Sequence, residues 1–152
     1  MRIRSLGLAI ATVVVACTSA PMAAPAGRLV EMTGNDQMKF SVMSITAKRG
    51  ELLHVRLRSV GTIPKIAMAH NFVLLAKGTD AAAFANAAGT ASATGYIPAQ
   101  FKAKILATTA LAGPGETVDV TFKAPAAPGQ YTYLCSFPGH FIAGMKGVLT
   151  VK

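Results

Sequence analysis

Residues 128–145 read PGQYTYLCSFPGHFIAGM, a strand-forming segment that opens into a loop carrying three side chains able to bind a metal. After the Pro-Gly turn, aromatic and polar residues alternate up to Cys135, which is the two-residue period of a half-buried strand. His140 and Met145 follow in the spacing Cys-x4-His-x4-Met. A thiolate, an imidazole and a thioether are therefore expected in one loop between two strands.

A second imidazole is available far upstream, where His70 precedes the short apolar segment 71–75. Two imidazoles and one thiolate in a trigonal plane, with a long axial methionine, define a blue-copper electron-transfer site. A methionine alone is usually a core filler, so the combined spacing carries the argument. The sequence predicts one type 1 copper per chain, bound by His70, Cys135, His140 and Met145.

The rest of the chain favours an all-β domain. Leu53, Val55 and Leu57 alternate with polar neighbours, which is typical of a strand with one buried face. Glycine and proline turns separate the segments, as a β-sandwich requires. Residues 78–96 are alanine-rich without alternation and are interpreted as a helical flap, with a helix over 80–88 capped by Thr79 or Asp80. The predicted strands are 38–42, 53–58, 71–75, 117–123, 130–135 and 147–152.

The N-terminus is interpreted as an export signal over residues 1–17. Arg2 and Arg4 precede an apolar run that is too short to span a bilayer comfortably. Two processing routes stay open. The segment ending in Cys17 resembles a lipobox, which would make Cys17 the lipidated first residue and residues 18–27 a tether. Alternatively, cleavage before Gly27 would release a soluble protein. Both routes predict a periplasmic location, with the folded domain over residues 28–152.

Cysteine use agrees with a metal site. The chain has two cysteines, and Cys17 belongs to the signal, so Cys135 is the only cysteine of the predicted domain. An oxidising compartment threatens a free thiol, and metal ligation is one reason to keep it.

The chain is basic, with a formal charge of +9 that becomes +7 when Arg2 and Arg4 are removed with the signal. Nucleic-acid binding is not expected, because the basic residues are scattered singly and the protein is exported. Two interpretations remain: a basic surface that steers an acidic protein partner, or a surface that only increases solubility.

The sequence resembles the cupredoxins, and azurin in particular, over roughly residues 28–152. The resemblance rests on Gly34-Asn35-Asp36-Gln37-Met38, on residues 50–71 with Met68-Ala69-His70-Asn71, and on Cys135–His140 followed by Met145-Lys146-Gly147. It implies a Greek-key β-sandwich and a protein that shuttles single electrons between redox partners such as a cytochrome or a reductase.

The resemblance also implies roles for the neighbours of the ligands. The backbone carbonyl of Ala69 would be a weak contact of the metal. Asn71, Ser136 and Phe137 would surround the cysteine sulfur, with the first two joining the ligand loops and backbone amides of Asn71 and Phe137 bonding the sulfur. A redox partner would dock on an apolar patch around an exposed edge of His140, formed by Met38, Ile63, Met68, Phe137, Pro138, Ile142 and Ala143.

The chain departs from the azurin pattern in four places, one of which is Ser59, which replaces a histidine that titrates beside the azurin site. The positions of the azurin disulfide are Arg28 and Gly50 here, so that cross-link is absent. Ala69 replaces a glycine. The spacing between His140 and Met145 is one residue longer than in azurin and is similar to plastocyanin and auracyanin.

Two other classes of copper protein need a different kind of site. A copper-delivery or sequestration protein could use the same ligands, but it would need an open, exchangeable site. A copper enzyme would need an open coordination position or a second metal site, and only three histidines are present, of which two are already assigned. No enzyme activity is expected.

Overall fold

The computed structural model describes residues 27–152. The export signal predicted over 1–17 and nearly all of the tether predicted over 18–27 lie outside the described residues. Within residues 27–152, no helix is long and apolar enough to cross a membrane. The strands are β1 Arg28–Gly34, β2 Ser44–Ala47, β3 Leu52–Ser59, β4 Val73–Leu75, β5 Ile105–Thr108, β6 Thr117–Lys123, β7 Gly129–Leu134 and β8 Lys146–Val151.

The strands form two sheets that pack as a sandwich, which confirms the predicted fold class. One sheet has the order β1-β3-β6 and the other β2-β8-β7-β4-β5. β1 pairs with β3 and β2 pairs with β8 in parallel, whereas the other pairings are antiparallel. As a result, β7 and β8 lie side by side, and the loop that joins them emerges at one end of the sandwich.

The core follows from the alternation along the strands. Leu53, Val55 and Leu57 of β3 are fully buried, while the residues between them face outward. On the facing sheet, the ring of Tyr133 lies 5.1 Å from that of Phe72 and packs beside Leu149 in the same cluster. Burying a side chain of this size stabilises the fold by about 1.5–3 kcal/mol.

The predicted helical flap is present and longer than expected. Helix α1 spans Ala81–Ala88, and the Asp80 carboxylate caps it by accepting bonds from the amides of Ala82 and Ala83. Two short 3₁₀ helices, Ser92–Thr94 and Ala99–Lys104, extend the flap beyond residue 96. Phe84 packs edge-on against Phe101, with ring centroids 5.4 Å apart, and both belong to a second small core between the flap and strands β4 and β7.

The strand predicted over 38–42 was wrong. In this segment Phe40 forms only an isolated bridge with Gly34. The chain turns just before it, because the amide of Met38 bonds the carbonyl of Asn35 and Met38 adopts a φ of 55°. The alternating apolar residues of this segment therefore belong to a buried turn and not to a strand. Phe40 is buried, and Met38 and Val42 pack against the core.

Candidate metal centre

Three segments that are distant in sequence bring the predicted ligands together at one end of the sandwich, here called the metal end. His70 precedes β4, Cys135 directly follows β7, and His140 lies in the loop from β7 to β8. One ligand atom from each of these three residues lies within 4.8 Å of the others, and Cys135 Sγ is 3.3 Å from His140 Nδ1. All three side chains are buried, as is Met145 in the same loop.

His70 is fixed by its backbone and left without polar partners at its ring. Its amide donates to the carbonyl of Ala112 at 2.9 Å, and the amide of Ala112 donates back at 2.7 Å. Neither ring nitrogen has a hydrogen-bond partner among residues 27–152, although the residue is fully buried. A buried imidazole without partners is costly and calls for an explanation. A metal ion between His70, Cys135 and His140 would satisfy it, so the residues present fit a bound copper.

The loop between β7 and β8 is held by its own backbone. The amide of Cys135 donates to the carbonyl of Met145 at 3.1 Å, and the amide of Met145 donates to the carbonyl of His140 at 2.9 Å. The amide of His140 in turn donates to the carbonyl of Phe137 at 3.1 Å. Through these bonds the Cys-x4-His-x4-Met segment forms a closed loop, in which the backbone of Met145 lies beside that of Cys135.

Burial keeps the Cys135 thiol protonated when no metal is bound. Loss of solvent raises the pKa of Cys135 to about 12, and hydrogen bonds from the backbone amides of Asn71 and Phe137 offset only part of this rise. The carbonyl oxygen of Ala69 faces the same sulfur at 3.8 Å. A thiolate therefore forms here only together with a cation, which couples metal binding to proton release.

The two imidazoles are neutral at physiological pH. Burial lowers the pKa of His140 to about 4, and the nearby His70 adds to this effect. Burial also lowers the pKa of His70, partly offset by the charge of Asp36. Neutral imidazole is the form that binds metals, so no proton has to be displaced from either ring.

Gly34 was not recognised as a site residue by sequence reasoning. A Cβ atom at this position would lie 2.8 Å from Cγ of His70 and 2.9 Å from Cε of Met145. Both distances are too short for any side chain, so Gly34 lets the end of β1 pack directly against two predicted ligands. The sequence offered only its place in an azurin-like segment.

The flap reaches the site through Tyr96. Its ring packs edge-on against Phe137 with centroids 5.0 Å apart, and Phe137 lies 4.9 Å from the ring of His140. Tyr96 holds a φ of 63°, which is uncommon for a bulky residue. The flap thus covers one side of the ligand loop.

Comparison with known proteins settles the family. Residues 27–152 match the sequence profile of the copper binding proteins, plastocyanin/azurin family. The chain belongs to this family. It is 38% identical over 129 residues to azurin of Pseudomonas denitrificans, a match that covers 81% of this chain and 97% of that protein.

The auracyanins are also similar to this plastocyanin/azurin family member. Auracyanin-B of Chloroflexus aurantiacus is 48% identical over 83 residues, which cover 54% of this chain and 35% of that longer protein. The solved structure of dithionite-reduced auracyanin from Roseiflexus castenholzii matches with a TM-score of 0.73 at 32% identity, covering 84% of this chain and 99% of that one.

The apolar patch of this family member differs from the expectation. Ile142 is 82% exposed, but Phe137 is buried and His140 is only 1% exposed, because the Phe137 ring packs against the imidazole. The expected exposed edge of His140 is therefore almost completely covered in the structure. Ile66, 91% exposed between Ile63 and Met68, was missed by sequence reasoning, although its two apolar neighbours in sequence were already assigned to the patch.

Asn71 and Ser136 join the two ligand segments by reciprocal buried bonds. The Asn71 amide donates to the Ser136 hydroxyl and its carbonyl accepts from the Ser136 backbone amide, each at 2.8 Å. We expect Asn71→Ala to lower the free energy of unfolding of the copper-free protein by about 2–4 kcal/mol, because both buried groups of Ser136 lose their partner. Urea denaturation measures this change.

Asn86→Ala is the matched control for Asn71→Ala. Asn86 is exposed on α1, where alanine is the better helix former, so its replacement should leave stability unchanged or slightly raised. Equal effects of the two substitutions would contradict a bridging role for Asn71.

Proposed function

We propose that this protein is a mononuclear blue copper electron carrier whose single type 1 copper is held by His70, Cys135, His140 and Met145. The observation that carries the proposal is the buried meeting of two imidazoles and one thiol, with both ring nitrogens of His70 unpartnered within residues 27–152. The chain's membership in the plastocyanin/azurin family and its similarity to azurins and auracyanins support it.

The protein's own residues prepare the site for fast electron transfer. Bound copper would supply the Cu(II)/Cu(I) couple, whose softer state suits sulfur ligands and both of whose states accept imidazole. The backbone bonds at His70 and along the β7–β8 loop hold the donor atoms in place, so little movement accompanies a change of charge. Amides of Asn71 and Phe137 point at the Cys135 sulfur and tune its electron density. Burial excludes water from the donor atoms.

An electron carrier releases only an electron from its copper site, whereas a copper-delivery protein releases the metal itself. The predicted ligands are buried, and a backbone-bonded loop encloses them, which favours retention of the metal. We expect rapid electron self-exchange in a mixture of oxidised and reduced protein, measured by NMR line broadening, and slow loss of copper to a copper-free acceptor protein. Slow self-exchange together with fast copper transfer would instead favour delivery or sequestration.

We also propose that the protein is not an enzyme. The third histidine, His54, lies on the outer face of β3, where its Nε2 is 2.7 Å from the carboxylate of Asp119, which also pairs with Arg56. It is thus bonded to a surface carboxylate rather than placed in a second metal site. The enclosure of the predicted ligands offers no open coordination position for a substrate.

The docking surface for a cytochrome or reductase partner is proposed to be the apolar patch at the metal end, with Ile66 added to the seven residues predicted. We expect Ile142→Asp to slow electron self-exchange by on the order of tenfold, because docking would bury a carboxylate in each apolar contact. Leu106→Asp, on edge strand β5 and 44% exposed, is the control and should leave the rate unchanged. A slower rate for Leu106→Asp alone would move the docking surface to β5.

Export to the periplasm is proposed from residues 1–27. A positive start, an apolar run and the lipobox-like end at Cys17 support a signal over 1–17 and a tether over 18–27, ahead of the copper domain at 28–152. The mass of the mature N-terminus separates the two routes. A diacylated Cys17 would establish membrane anchoring, whereas a chain beginning at Gly27 would establish a soluble form.

A further inference from the structure

The end of the sandwich opposite the ligands, here called the basal end, collects positive charge. β1 begins there at Arg28 and finishes at Gly34 beside His70, so the two ends lie a full strand apart. β6 and β8 both run away from the metal end and reach the basal end at their last residues. The turn from β2 to β3 also lies there, because the amide of Arg49 bonds the carbonyl of Lys152.

Five exposed cations at the basal end have no ion-pair partner among residues 27–152. They are Lys48, Arg49, Lys77, Lys123 and Lys152. A sixth cation, Arg28, pairs with Glu51. Residues 1–26 contain no aspartate or glutamate, so the N-terminal segment adds no side-chain carboxylate that could neutralise the five.

The remaining carboxylates are engaged in other contacts. Asp36 accepts bonds from Thr62, and Glu116 pairs with Lys65, both near the metal end. Asp119 pairs with His54 and Arg56 on the sheet face, Asp80 caps α1, and Glu31 lies opposite Arg56 in the register of β1 and β3. The unpaired basal cations therefore leave the basal end positively charged.

An uncharged loop lies beside these cations. Ala126, Ala127 and Pro128, between β6 and β7, are exposed and small. The loop is fixed to the body of the protein, because the hydroxyl of Tyr131 donates to the carbonyl of Ala127 at 2.7 Å. Lys77 lies against this loop, because its Nζ donates to the carbonyl of Pro128 at 3.2 Å. Small apolar side chains beside cations suit the boundary of a lipid bilayer, where apolar atoms meet the headgroups and cations meet phosphate.

We propose that the basal end is a docking surface for an anionic phospholipid bilayer and that it turns the copper site away from the membrane. The path of the chain favours a membrane over an acidic protein as the occupant. Gly27 lies at this end, since a Cβ atom there would be 2.9 Å from the carbonyl carbon of Leu53. The segment with the predicted signal and Cys17 enters the domain at this point.

The segment between Cys17 and Gly27 is short enough to keep the basal end near a membrane in which Cys17 is anchored. Ten residue steps separate Cys17 from Gly27, and such a length spans at most about 35 Å when extended. If Cys17 is lipidated, the basal end is the face held nearest the bilayer, and its effective concentration there is high. If cleavage instead precedes Gly27, the basal cations alone supply the attraction. In both cases the ligand loop remains free for a partner.

The size of the effect follows from the charges. Each basic residue near an anionic surface raises binding about fivefold, and the attraction fades within about 8 Å at physiological salt. We expect the triple substitution Lys48→Gln, Arg49→Gln and Lys123→Gln to weaken binding to anionic vesicles by on the order of 100-fold. The control triple Lys39→Gln, Arg58→Gln and Lys146→Gln removes the same charge at the metal end and should change binding by less than about fivefold.

The test is co-sedimentation with lipid vesicles. It uses the mature protein, with the N-terminus that cellular processing leaves. Vesicles of phosphatidylcholine alone report any lipid anchor, and vesicles with equal parts phosphatidylglycerol report the basic surface. We expect a preference for the anionic vesicles that fades with added salt and is lost in the basal triple variant. Denaturation curves of both triple variants show that each is folded, and the readout does not depend on electron transfer.

Three results would overturn the proposal. They are equal binding to both vesicle types, undiminished anionic binding by the basal triple variant, and equal losses in the two triple variants. A basal variant that binds vesicles normally but reacts slowly with an acidic redox protein would assign this surface to a protein partner instead.

Discussion

Cys135→Ser is expected to abolish the intense orange-red absorption of the Cu(II)-loaded protein and its bleaching by reductants. The band requires a thiolate bound to copper, and Cys135 is the only cysteine in residues 27–152. A serine hydroxyl at the same position cannot supply a sulfur ligand and ionises far less readily. The visible spectrum before and after reduction measures the effect, with the wild-type protein beside it.

Folding must be tested in parallel, because Cys135 is fully buried at the junction of both ligand segments. The backbone amides of Asn71 and Phe137 remain available to a serine oxygen, so we expect the copper-free variant to lose only about 1–3 kcal/mol in free energy of unfolding. A folded variant that keeps the band would contradict the ligand assignment. A colourless wild-type protein would mean that the longer His140–Met145 spacing or Ala69 has altered the site, and the delivery function would move ahead.

Gly34→Ala is expected to disturb both the stability of the protein and its copper site, although Gly34 contributes no ligand. The new methyl group would lie 2.8 Å from His70 and 2.9 Å from Met145. The His70 ring cannot withdraw easily, because it is buried and its backbone is bonded in both directions to Ala112, whereas the terminal methyl of Met145 can turn away. We expect the free energy of unfolding to fall by about 1–3 kcal/mol, as in other overpacked cores.

The same substitution should also change the copper site, since the ring of His70, a proposed ligand, must shift and the side chain of Met145 must turn aside. We expect a displaced absorption band and weaker copper retention during competition with a chelator. Gly89→Ala is the matched control: Gly89 has a right-handed helical φ of −54°, and its Cβ would meet only the Asn86 carbonyl at 3.4 Å. It should be neutral or slightly stabilising. A Gly34→Ala protein with wild-type stability and spectrum would contradict the close packing.

Sequence patterns predicted those strands and that helix cap which are determined by residues close together in the chain. Alternation identified β6 at its exact bounds and β7 to within one residue, because side chains of a strand point to opposite faces every second position. Asp80 was among the predicted caps of α1, since a carboxylate accepts bonds from amides two and three residues ahead. The same pattern failed at 38–42, where a turn at Met38 buries Phe40 without extended pairing.

The sequence by itself determined the chemistry of this protein. Cys135, His140 and Met145 lie within one loop, so their spacing alone identifies a set of sulfur and nitrogen ligands. His70 is a further residue of a metal-binding type. Only the tertiary structure decided how these groups are held and covered. The parallel pairing of β1 with β3 brings Gly34 against His70 and Met145, and the flap brings Tyr96 against Phe137. Contacts between residues far apart in the chain depend on how the sheets pack, which no local period encodes.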